Sequence, residues 1–140
     1  MKRTLIAAIA LAAMHASHAA PAKLAPADLL QKAIQCELPK GKSGAVTKAA
    51  KALGGKVNED NHFALPSPLT VFGHQVSALS ISDNYVEEYI AVFKNVKLEE
   101  IVAAANLKMA GEYSRQGKNG RLAATQNNGR DVWLLCTVGI

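Results

Sequence analysis

His62 and His74 stand twelve residues apart, one in a polar stretch and one directly after Gly73. Metal ligands on a helix recur three or four positions apart, and structural zinc sites gather several Cys and His at short spacing, so this pair predicts no metal site. Ser77, Ser80 and Ser82 lie in a β-rich stretch without the glycines that set a nucleophilic serine on a sharp strand-to-helix turn. Glu87 and Glu88 are neighbours in a strand pattern, where successive side chains point to opposite faces, so they cannot act as a carboxylate dyad. Gly54 and Gly55 end a helical pattern instead of opening one, the wrong polarity for cradling a phosphate. These patterns predict no catalytic residue, no cofactor and no enzyme.

The remaining reactive pair is Cys36 and Cys136. Its meaning depends on compartment, and the N-terminus supplies that. Lys2 and Arg3 precede an uncharged apolar run from Leu5 to Met14, followed by small residues from Ala16 to Ala20, the pattern of a secretory signal peptide. Cleavage after Ala19 puts Ser17 and Ala19 at the determining positions and predicts Ala20 as the mature N-terminus, with residues 1–19 as signal and 20–140 as one domain. The apolar run has about half of the ~20 residues a membrane-spanning helix requires, and no Cys near the cleavage point could carry a lipid. The expected product is periplasmic or secreted without a membrane anchor, and there an even cysteine count predicts a Cys36–Cys136 disulfide.

The formal charge of +5 is partly the signal's, because residues 20–140 carry 14 Lys and Arg against 11 Asp and Glu. The densest basic group, Lys48, Lys51 and Lys56, reads as a solvated helix face, so nucleic acid is not an expected partner.

The elements that must position these residues follow from periodicity. Leu29, Leu30, Ala33, Ile34 and Cys36 mark a first helix stopped by Pro39 and Gly41. Ser43 is the expected cap of a second, whose Val46, Ala49, Ala50 and Leu53 share one face and whose end is Gly54. Asn58 to Asn61 reads as a polar link, and Pro66 and Pro68 hold an extended stretch. A hairpin is expected from Leu69 to Lys94, turning at Asp83 and Asn84, with Glu87, Tyr89, Ala91 and Phe93 on one face of its second arm. Asn95 is the expected cap of a third helix through Leu98, Ile101, Val102 and Ala105, ending near Asn106. Three strands follow, 112–116, 121–126 and 131–138, joined by Asn- and Gly-rich turns. The predicted fold is an α+β two-layer sandwich, an antiparallel sheet of about five strands with helices packed on one face.

An alanine-rich helix followed by a hairpin occurs twice, over 46–81 and 101–126. This alternation resembles, in architecture, the helix and sheet modules of small secreted inhibitors and envelope lipoproteins.

With chemistry set aside, the candidate surface is the sheet face away from the helices. In the last strand Val132, Leu134, Cys136 and Val138 share one face, so Trp133 takes the other. Trp133 with Tyr89 or Tyr85, Glu87, Arg115 and Arg121 is the expected partner-binding set, because aromatic and arginine side chains dominate protein contact sites. The function predicted is a non-enzymatic protein-binding module, such as an inhibitor of, or immunity protein against, an envelope enzyme. The alternative is a small-ligand or metal carrier with a pocket between helices and sheet and His62 or His74 at its mouth.

Overall fold

The computed structural model describes residues 23–140. The expected signal peptide and the mature N-terminus at Ala20 lie outside the described residues. Among the described residues, three helices, α1 (Pro26–Ile34), α2 (Ser43–Ala52) and α3 (Leu98–Ala104), accompany eight strands. These are β1 (Lys56–Val57), β2 (Phe63–Val71), β3 (His74–Ser82), β4 (Glu87–Lys94), β5 (Lys108–Ala110), β6 (Glu112–Gln116), β7 (Gly120–Asn127) and β8 (Asp131–Val138).

All eight strands form one antiparallel sheet in the order β1-β2-β3-β4-β8-β7-β6-β5. Each half is a four-strand meander that follows a helix, α2 before β1 to β4 and α3 before β5 to β8, and the halves join through their last strands. The helix-and-hairpin echo in the sequence is therefore a whole helix-plus-meander repeat. Both helices stop in the same way, at a left-handed residue just past the C-cap, Gly54 (φ 79°) and Asn106 (φ 54°).

The sheet has eight strands, not about five. β1 and β5 have two and three residues, too few to show alternation. β2 runs through Pro66 and Pro68, which suggest an unpaired stretch. The ladder to β3 jumps from Ala64–Ala78 to Leu69–Val76, so both prolines sit in the bulged segment, where their missing N–H groups cost no ladder bond.

The helices cover one face of the sheet. Leu30, Ala33 and Ile34 of α1 and Val46, Ala49 and Ala50 of α2 are buried at i, i+3, i+4 spacing, and α3 contributes Ile101. They meet Leu79 from β3, Tyr89, Ala91 and Phe93 from β4, Leu122 and Ala124 from β7, and Val132, Leu134 and Val138 from β8. Each fully buried large side chain stabilises by roughly 1.5–3 kcal/mol relative to exposure.

Two helix starts differ from expectation. Ser43 is the first residue of α2, not its cap, and its hydroxyl donates to Asp83 (2.8 Å). Lys97, not Asn95, caps α3, and its N–H donates to Glu100 (2.7 Å) while Asn95 takes a left-handed φ of 57°.

Cys36 lies past the end of α1 at φ 62° and bonds to Cys136 of β8, with Cα atoms 5.2 Å apart. The β6–β7 turn closes over the bridge. Asn119 donates its backbone N–H to the Cys36 carbonyl and its side-chain amide to the Glu37 carbonyl, and a Cβ on Gly117 would lie 2.9 Å from that of Cys36. The disulfide therefore pins the α1 end to the middle of the sheet on the covered side.

Candidate functional site

Among the described residues no helix packs on the opposite face, and the strand registers give its layout. One row across it is Ala64, Ala78, Val92, Trp133 and Thr125, with Val92 paired to Trp133. The next is Ser80, Ile90, Leu135, Ala123 and Ser114, and a third is Ser82, Glu88, Thr137, Arg121 and Gln116. At the other end Lys94, Asp131 and Asn127 stand side by side. Ile90, Leu135 and Trp133 are each partly exposed, so the middle of this face offers apolar surface to solvent.

Of the expected partner-binding set, Trp133 and Arg121 are on this face. Arg121 is engaged locally, paired with Glu112 (2.5 Å) and donating to the Ser114 hydroxyl (3.1 Å). Tyr89, Glu87 and Arg115 are on the covered face instead. Tyr89 pairs with Cys136 and is fully buried, and Glu87 pairs with Val138 at 5% exposure. Arg115 pairs with Leu122 and donates through Nε to the Ala105 carbonyl (2.7 Å) at the end of α3. Tyr85 is 99% exposed, but it belongs to the β3–β4 turn and to no strand of the sheet.

Glu87 is a structural anchor. Its carboxylate accepts the N–H groups of Gly41 and Lys42 at the start of α2 and the Tyr89 hydroxyl. Burial alone would push this carboxyl up. The Tyr89 hydroxyl and the amides of residues 41–43 outweigh it, and Glu87 is held below the ordinary carboxylate range. Burial, then the bond to Glu87, pushes the Tyr89 hydroxyl well above the usual tyrosine range, so it remains a donor. The carboxylate thus supplies from β4 the cap that Ser43 does not.

A cleft of about 510 Å³ lies on the open face beside Trp133. Its floor is Ala64, Ser77, Ala78 and Val92, small side chains from the centre of the sheet. One wall is the β1–β2 turn, where Asn58 Oδ1 accepts the N–H groups of Asp60 (3.1 Å) and His62 (2.9 Å) and so holds the turn in shape. His62 meets the Trp133 indole edge-to-face, centroids 5.7 Å apart. Lys94, Asn127, Asn128 and Asp131 form the far rim. Lys94 and Asp131 are register partners, yet neither forms an ion pair with another described residue.

The cleft lies on the face opposite the one expected for a ligand pocket, and it contains His62 without His74. Phe63, the residue after His62, pairs with Leu79, and His74 lies five positions along β3, roughly 15 Å away. Among the described residues no group of three or more His, Cys, Asp and Glu could hold a metal ion. The rim residues Asn58, Asp60, Lys94, Asn127, Asn128 and Asp131 escaped the sequence reading because they sit in two turns and at one strand end. Only the run of pairings from β1 through β2, β3 and β4 to β8 brings them together. Comparison with known proteins matches no family model, no curated protein and no solved structure.

Proposed function

We propose that this chain is an exported, non-enzymatic binding module, periplasmic or secreted, that engages another envelope or secreted protein through the open sheet face, as an inhibitor or immunity protein does. The observation that carries the reading is Trp133, partly exposed on the face of the eight-stranded sheet that no described helix covers, and flanked by Val92, Ile90 and Leu135. A large aromatic on a surface fixed by ladder bonds and a disulfide loses little entropy on binding, which favours a contact hot spot. The Cys36–Cys136 bond is compatible with an oxidising compartment. Among the described residues no helix is long and apolar enough to cross a membrane.

The test is a photo-crosslinking residue in place of Leu135 on the open face, and another in place of Lys48 on the outer side of α2, in the exporting cell. Capture of one protein from position 135 and not from position 48 is expected. Capture from position 48 alone, or from neither, refutes the reading.

A second reading, a small-ligand carrier, is favoured by the cleft beside Trp133, whose volume lies within the range of ligand sites. Its metal-carrying form has no support, since His62 and His74 are far apart.

A further inference from the structure

We infer that the cleft beside Trp133 is a carbohydrate site, taking a neutral sugar ring against the indole. The inference rests on the second reading, that the cleft receives a small ligand, and it names the class.

Asp60 and Asp131 outnumber Lys94 in the lining, so phosphate, nucleotides and acidic sugars meet a net negative site. The apolar surface is confined to the indole and the small side chains of the floor, too little for a lipid chain. An organic cation would find two carboxylates and an aromatic ring, but it would also meet the Lys94 ammonium, held by register beside Asp131. What remains is a ligand with one apolar face and many hydroxyl groups that both donate and accept.

A pyranose ring has that form. Its C–H face packs on an aromatic ring, and its vicinal hydroxyls match planar groups that present two polar atoms side by side. The lining provides such groups: carboxylates accept from hydroxyls, the Asn127 amide donates and accepts, and Lys94 donates. The side chains of Asn127, Asp131 and Lys94 make no hydrogen bond to another described residue, so their capacity is available. His62 holds the indole from one side, and the self-bonded β1–β2 turn holds His62, so the platform is pre-formed.

Trp133 is the sole tryptophan of the chain, so its fluorescence and its single indole N–H resonance report on this cleft alone. The exported protein would be titrated with trimers of β-1,4-linked glucose, of β-1,4-linked N-acetylglucosamine and of α-1,4-linked glucose, with spermidine and inorganic phosphate as separate probes. Saturable movement of the indole signal by at least one trimer, without response to phosphate, is expected. Asn127→Ala and Lys94→Ala should each weaken it about fivefold, the loss of one hydrogen bond to a ligand. Lys48→Ala, on the outer side of α2 and outside the cleft, should leave it unchanged. A response to spermidine and to no sugar overturns the carbohydrate class while keeping the cleft as a ligand site. No response to any probe overturns both the class and the second reading.

Discussion

Replacing Glu87 tests how the helical layer is attached to the sheet. In Glu87→Ala, two backbone N–H groups and the Tyr89 hydroxyl lose their acceptor. Gly41 and Lys42 are exposed residues, so water can reach their amides and the loss there is partial. Tyr89 has no exposure, so its hydroxyl is left buried without a partner, at a cost of about 1–3 kcal/mol. With the lost charge-assisted cap, the total comes to about 2–4 kcal/mol. Tyr89→Phe alone removes one bond and leaves a carboxylate that keeps two donors, costing about 1 kcal/mol. The double variant no longer carries the orphaned hydroxyl, so its loss should fall short of the sum by about 1 kcal/mol or more.

The same site predicts the acid limb of the stability curve. Because Glu87 binds its proton less readily folded than unfolded, it contributes stability that is complete above the ordinary glutamate value, about 4.3. That contribution is lost as pH falls through the lower folded value. Urea unfolding followed by circular dichroism from pH 7 down to pH 3 should therefore show a steeper acid loss for the wild type than for Glu87→Gln. Equal stability and equal acid slope for the two proteins would refute the role assigned to Glu87.

The remaining predictions concern the bridge, the turn above it and processing. Intact mass before and after reduction and alkylation should show one disulfide and no free thiol. Cys36→Ala with Cys136→Ala should cost about 4–5 kcal/mol, from the separation of 100 residues that the bond spans; two free thiols in exported protein would contradict it. Gly120→Ala should destabilise by about 3 kcal/mol or more, because its Cβ would lie 2.1 Å from the Thr137 carbonyl oxygen and 2.8 Å from Val138 Cα. Gly129→Ala, with open space around it and φ 68°, should cost only about 1–2 kcal/mol, both variants being read by urea unfolding. N-terminal sequencing of protein recovered from the envelope should begin at Ala20.

Much of the covered layer was legible because it obeys local periodicity. The bounds of β6 and β8, the inward stripes of α1 and α2, and the β4 parity that groups Glu87, Tyr89, Ala91 and Phe93 all follow from spacing. That parity already separates Tyr89 from Trp133 once the register is known, since Tyr89 pairs with Cys136 and Val92 with Trp133. Without the register, an aromatic on a strand reads equally well as core or as surface. Arg115 was misplaced for the same reason: the β6–β7 pairing, not its charge, sets it beside Leu122, and the Ala105 carbonyl then gives its guanidinium a partner on the covered side. The edge strands β1 and β5 are too short to carry a period, and β2 is masked by two prolines that its bulge accommodates. The cleft was illegible because its walls come from segments that only sheet pairing unites.

For the proposed binding role, Trp133 must be a contact residue on the open face and not part of the core. With the crosslinked partner purified, titration calorimetry against wild type and Trp133→Ala measures this directly. A contact role for Trp133 predicts a loss of about 2 kcal/mol or more, roughly 30-fold in affinity, with nearly unchanged thermal unfolding. Unchanged affinity would place the contact elsewhere, and loss of folding in Trp133→Ala would make the residue core; either result contradicts the claim.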